Sequence, residues 1–231
     1  MFTHQAYFEH LNKDQEIINL QMDSCVAAGY TGRNQEMVQT HIEELKKLGV
    51  ATPYAIPALY WICPTRLTSS KELQVVGSQT SPEVEFFLAE DENGALYITV
   101  ASDHTDRELE AVSVGKAKQV CDKVLGDHFW KVDDIADHWD EIQIRSEVLK
   151  DEKWIPYQSG TLSQILHYND LLDVIRRDSP AGKHPSLLSG TIPVIGGDAI
   201  FTSACKITMT DSILHRVITK QYQIIVLPDR S

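Results

Sequence analysis

Two runs rich in β-forming residues, Val84 to Leu88 and Ala95 to Val100, flank the turn sequence Glu92-Asn93-Gly94. No other segment narrows the choice of folds as much, because strands joined this closely pair antiparallel. Further strand patterns occur in Ile18-Asn19-Leu20-Gln21-Met22 before the turn at Gly29, in Leu73 to Val76, in Ile207-Thr208-Met209-Thr210, and in Tyr222 to Val226. Helical spacing is rarer. The clearest case has Asn34 as cap, Met37, Val38, Ile42, Leu45 and Leu48 on one face, Lys46 and Lys47 in the last turn, and Gly49 as the stop. A second helix is predicted over Leu162 to Arg177, helix-like spacing runs from Leu109 to Val124, and Val132 to Ile144 is acidic and mixed. The balance predicts an α+β fold with few helices, not an alternating βαβ series.

At 231 residues with 42% hydrophobic content, a single domain over residues 1–231 is expected. Within it, residues 1–28 form an N-terminal strand segment, 29–49 a lid-like helix region and 50–231 a β-rich core. Acidic residues outnumber basic ones by 33 to 21, giving a formal charge of -12 that repels a polyanion, so nucleic acid is excluded as a partner. The chain has no apolar run near the roughly 18 to 20 residues a bilayer span needs, and Met1 to Gln5 lacks the start of a signal peptide. A cytoplasmic location with no membrane partner is expected. Cys25, Cys63, Cys121 and Cys205 are scattered without CxxC pairing, which suits reduced thiols. The chain has no GxSxG elbow, against a serine hydrolase.

Glu83-Val84-Glu85 lies in a predicted strand, where residues two apart share a face, so their carboxylates can converge on one point. The next strand ends at Ser102-Asp103-His104-Thr105-Asp106-Arg107, and an antiparallel return carries Asp103 toward the two glutamates. Three carboxylates make an oxygen-rich site that suits a hard divalent ion; read alone, they also suit the wet face of an edge strand. His41 and Glu44, three apart on a helix, can act as a carboxylate-oriented general base or form an exposed surface pair. Gly190-Thr191-Ile192-Pro193 offers backbone amides and a hydroxyl to an anion, or is a tight turn.

In this order the pieces resemble the fumarylacetoacetate hydrolase superfamily. Gly32-Arg33-Asn34 followed by His41-x-x-Glu44 is similar to that family's Gly-Arg-Asn entry to a lid helix with a His-Glu dyad. Pro57-Ala58-Leu59-Tyr60 resembles its Pro-x-Leu-Phe strand, and Glu83-Val84-Glu85 its Glu-x-Glu metal pair. Asp103-x-Thr105 resembles its third metal ligand segment, Ala117-Lys118 its active-site lysine, and Gly160-Thr161 with Ser189-Gly190-Thr191 its late Gly-Ser-Thr and Thr-Gly-Thr-Pro signatures. The likeness spans roughly residues 29 to 197. Three extra residues separate Asn34 from His41, a displacement of about 4.5 Å along a helix axis, and Ile192 intervenes before Pro193.

The resemblance implies a mixed, rolled β-sheet or β-sandwich core of the superfamily's C-terminal-domain type, a homodimer, and Mg²⁺ or Mn²⁺ held by Glu83, Glu85 and Asp103. It implies His41, Glu44 and Lys118 as catalytic residues, and Arg33, Lys118, Gly190 and Thr191 as substrate contacts. The leading activity is hydrolysis of a carbon-carbon bond in a small 2,4-dioxo acid or related β-diketone. The alternatives are decarboxylation of an oxaloacetate-like 2-oxo acid, isomerisation or hydration of a 2-oxo acid, and a non-catalytic member.

Overall fold

The computed structural model describes residues 1–47, 52–178, 180 and 182–230, apart from the side chains of residues 41, 44, 45 and 47. Its strands are β1 (Phe2–Glu9), β2 (Gln15–Met22), β3 (Ser24–Gly29), β4 (Ala58–Ile62), β5 (Leu67–Thr68), β6 (Glu72–Val76), β7 (Thr80–Ser81), β8 (Val84–Asp91), β9 (Leu96–Ser102), β10 (Thr105–Asp106), β11 (Lys123–Leu125), β12 (His128–Lys131), β13 (Gln143–Lys150), β14 (Lys153–Thr161), β15 (Pro185–Leu188), β16 (Ala204–Asp211) and β17 (Arg216–Leu227). The α-helices are α1 (Gln35–Lys47), α2 (Arg107–Glu110), α3 (Val114–Val120) and α4 (Tyr168–Arg177). Among the described residues, no helix is long and apolar enough to cross a membrane.

The larger sheet curls until it closes on itself. β8 pairs with β9, β9 with β12, β12 with β1, β1 with β2, and β2 returns to β8. The β1–β12 contact is parallel and the others in this ring are antiparallel. From the ring the sheet extends through β15, β3 and β4 on one side and through β11 and β5 on the other. A second sheet, in the order β14-β13-β16-β17-β6, covers its outer face. The α+β class is the one expected from the strand and helix pattern, and the mixed, rolled sheet is the one the resemblance implies.

Alternation explains why the central strands are apolar throughout. Val84, Phe86 and Leu88 of β8 face the core shared with Ile144, Ile207, Met209 and Ile218 of the second sheet. Phe87 and Ala89 point the other way, into the ring with Leu20, Tyr97 and Phe129. Successive residues of a strand serve opposite faces, so a strand buried on both reads as one continuous hydrophobic run.

The predicted hairpin is present. Asp91 Oδ1 accepts from the Asn93 and Ala95 amides, and Gly94 takes a φ of +82°. Asn34 caps α1 by accepting from the Met37 amide at 3.1 Å; the predicted positions Leu48 and Gly49 lie outside the described residues. Two helix expectations need correction. The predicted helix from Leu162 begins only at Tyr168, because Leu162–Gln164 forms a 3-10 turn and the chain at 165–166 is tied to residues 31–32. There the Leu166 amide donates to Thr31 O at 2.8 Å, which diverts the backbone from helical pairing. The Leu109–Val124 stretch divides into the end of α2, α3 and the start of β11, with a break at Ala111–Ser113.

Candidate metal centre

The β8–β9 register places Val84 opposite Ser102, and the pairing continues one step further with the Asp103 amide donating to Glu83 O at 2.9 Å. The hairpin thereby collects Glu83, Glu85 and Asp103, which offer one carboxylate oxygen each, all within 4.8 Å of one another. Glu85 and Asp103 are 1% and 0% exposed, so this is not the wet face of an edge strand.

Three cations from three elements meet these carboxylates. Lys118 of α3 puts Nζ 2.5 Å from Asp103 Oδ2 and 3.1 Å from Glu83 Oε2. β11 pairs with β9 so that Val124 faces Ser102, which brings Lys123 alongside Asp103, with Nζ 2.8 Å from Oδ1. Arg107, the first residue of α2, reaches Glu83 Oε1 at 3.2 Å and Ser81 Oγ at 2.7 Å. Burial alone would raise the Asp103 pKa, but Lys118 and Lys123 bring it down to about 2. Burial opposes the ionised Glu83 too, yet Lys118 and Arg107 hold its carboxyl below the ordinary value. Glu85 behaves differently. Burial, then the neighbouring charges of Asp103 and Glu83, push its carboxyl well above the ordinary glutamate range, against Lys118 and the Gly190 amide. The Lys118 ammonium is disfavoured by burial but held charged by Asp103, Glu83 and Glu85.

The late glycine turn braces this cluster. Gly190 donates its amide to Glu85 Oε2 at 2.9 Å, and the Thr191 hydroxyl donates to Val84 O at 2.8 Å. Buried Gln158 of β14 joins the pieces: Oε1 accepts from the Val84 amide and the Ser146 hydroxyl, while Nε2 donates to Thr191 Oγ1 and Ile192 O. Ser189 adds a hydroxyl that accepts from the Phe86 amide at 3.1 Å.

Thus Glu83, Glu85, Asp103, Lys118, Gly190 and Thr191 come together. Arg33 is engaged elsewhere: it forms a two-pronged pair with Asp140 at 2.7 Å and donates to Ile165 O and Leu162 O. His41 and Glu44 lie on α1, and their side chains fall outside the described residues. His104 is buried between Thr80 Oγ1 and Tyr222 OH, where burial, then Lys123 and Arg107, lower its pKa to about 3. Within the acidic stretch, Asp134 pairs with Arg216 and Asp140 with Arg33. Lys123 and Arg107 are site residues that sequence reasoning did not single out, and Ser189 entered there only as part of the late glycine signature. Lys123 carried one weak signal, a lysine that opens the apolar pair Val124-Leu125.

The donor set suits a hard divalent ion. All three ligands are oxygens, and the buried Glu85 Oε1 has no hydrogen-bond partner, an acceptor that in a native interior needs one.

A family model described as a protein of unknown function, DUF2848, matches residues 28–222. No curated protein matches the chain. Among solved structures it is similar to 2-keto-3-deoxy-D-arabinonate dehydratase complexed with magnesium and 2,5-dioxopentanoate, at 17% identity over 96% of this chain and 79% of that one, with a TM-score of 0.66. It is also similar to fumarylacetoacetate hydrolase from psychrophilic Exiguobacterium antarcticum, at 12% identity over 98% of this chain and 100% of that one, with a TM-score of 0.59. A third similar structure is 4-oxalocrotonate decarboxylase from Pseudomonas putida G7 complexed with calcium and acetate, at 12% identity over 89% of this chain and 78% of that one, with a TM-score of 0.53. Likeness at this level establishes the fold, which this chain shares with these three enzymes.

Proposed function

The chain belongs to the DUF2848 family, a protein family of unknown function, and on that footing we propose that it is a divalent-metal-dependent enzyme acting on a small oxo acid. The observation that carries this reading is the convergence of Glu83, Glu85 and Asp103, with one buried Glu85 oxygen left unpartnered. These three would hold Mg²⁺ or Mn²⁺. The ion would supply a Lewis acid for a substrate carbonyl and take up negative charge that develops there.

The leading reaction is hydrolytic cleavage of a carbon-carbon bond in a 2,4-dioxo acid. Lys118 would donate to a substrate oxygen, while Lys123 and Arg107 keep the Asp103 and Glu83 carboxylates ionised and oriented. Gly190 would hold Glu85 through its amide. Thr191 would contact substrate from a turn fixed by Gln158. His41, oriented by Glu44, would take a proton from the attacking water. Arg33 would support the lid through Asp140. The superfamily resemblance extends the proposal to a homodimer in the cytoplasm, with residues 1–231 as one domain.

A second reading is loss of water or CO₂ from a 2-oxo acid, in line with the dehydratase and the decarboxylase among the similar structures. Assaying acylpyruvates and oxaloacetate side by side, with and without Mg²⁺ or Mn²⁺, separates the two. Metal-dependent cleavage of the acylpyruvate is expected; turnover of oxaloacetate alone selects the second reading. Glu85→Gln should abolish metal binding and activity together, and retention of both in the purified variant defeats the assignment.

A further inference from the structure

We propose that Lys118 is an internal counter-cation that a divalent ion must displace, so that this lysine sets the metal affinity of the chain. The proposal rests on the metal-dependent reading above and deepens it. Its basis is competition for the same carboxylates. Lys118 Nζ contacts Asp103 Oδ2 and Glu83 Oε2, which belong to two of the three carboxylates of the cluster. An ion with ligand distances of about 2.1 to 2.5 Å would sit among these carboxylates, where the Lys118 ammonium already holds one oxygen of each of two.

Charge points the same way. Asp103 and Glu83 already face Lys118, Lys123 and Arg107, so an incoming divalent ion adds two positive charges where three cations stand. Of the two lysines on Asp103, Lys118 is held, among the described residues, by side-chain carboxylates alone and is the less buried, at 5% exposed. Lys123 is 0% exposed and its Nζ is also held by His104 O, whereas Lys118 reaches the cluster from the short helix α3. A lysine ammonium on its four-carbon stem is a point charge that can swing away without moving the backbone. The displaced ammonium stays beside the ion, where it can meet an anionic substrate oxygen.

Calorimetric titration of the purified full chain with Mn²⁺ tests this. K118M should bind Mn²⁺ at least about tenfold more tightly than the wild type, because the competing like charge is gone. Equal or weaker binding by K118M, with clear binding by the wild type, overturns the proposal and leaves the metal-dependent reading intact. Absence of binding in both overturns both. The wild type gives an independent readout if K118M does not fold. In protein labelled with ¹⁵N-lysine, the Lys118 ammonium resonance, assigned through its side-chain carbons, should be present without metal and lost at saturating Mg²⁺. Its persistence at saturation overturns the proposal.

Discussion

Gly190 holds a position that no other residue can fill. Its φ is +82°, and a Cβ there would lie 2.1 Å from Thr31 Oγ1 and 3.0 Å from Ala28 O. Gly190→Ala should therefore destabilise the fold by roughly 2 to 4 kcal/mol, read by urea unfolding, and should weaken metal binding by withdrawing the amide from Glu85. Asp211 offers a pH test far from the metal centre. Its carboxylate accepts from the Ile213 and Leu214 amides, His138 and Arg216. Burial works against the charged form, but the Leu214 amide, His138 and Arg216 bring the Asp211 pKa below its ordinary value. The folded state then binds fewer protons than the unfolded one, so this stabilisation is complete above the unfolded pKa of about 3.9 and fades as pH falls through the folded value. Asp211→Asn should cost roughly 1.5 to 3 kcal/mol at pH 7, and its deficit against the wild type should shrink below that pH range. Equal deficits at pH 7 and pH 3 would refute the assignment. At this scale Glu83, Glu85 and Asp103 were legible because a strand's two-residue period fixes which side chains converge. Lys123 and Arg107 were not, since their contacts depend on how β11 packs beside β9 and α2 beside β7, which no local period encodes.

The strand β14 acts on the centre through one amide side chain. All four of the Gln158 hydrogen bonds cross to other segments: the start of β8, β13, Thr191 and Ile192. Gln158→Leu would leave buried partners unsatisfied on each side, with an expected loss of roughly 2 to 4 kcal/mol in chemical denaturation. Metal affinity should fall as well, because the variant frees the Val84 amide between the two glutamates. Elements with a local signal were readable from sequence: the β8–β9 hairpin from its turn, and α1 from its Asn34 cap. The predicted helix over 162–177 overran its true start at Tyr168 because periodicity among Leu162, Ile165 and Leu166 reported burial rather than helix. Those residues are buried or half-buried in a segment that Arg33 and Thr31 hold through its carbonyls and the Leu166 amide.

For the molecule as a whole, metal binding is a stability measurement before it is an activity measurement. A ligand that binds only the folded state at a hundred times its Kd adds about 2.7 kcal/mol, which for a chain of this size is a rise in Tm of roughly 5 to 10 °C. Millimolar Mg²⁺ or Mn²⁺ should give such a rise in the wild type and not in Glu85→Gln; identical melting curves for the two would count against the centre. The fold class was legible because the run of strand signals outweighed two helices. The ring was not, since its closure joins β2 to β8 and β1 to β12, partners distant in sequence. That closure has a consequence for how such a chain can change over evolution. β8 is engaged along both edges, by β9 on one and by β15, Ser189 and β2 on the other. A residue inserted in β8 would swap the two faces of the strand on one side of it, setting Glu85 and the core residues Phe86 and Leu88 out of register with each other or with the hairpin. At the hairpin tip, Glu92 to Gly94, extra residues meet no such penalty. Lineages carrying this ring should therefore accumulate length variation at the tip and none in the strand, and their reactions should diversify by exchanging side chains around an immovable keel.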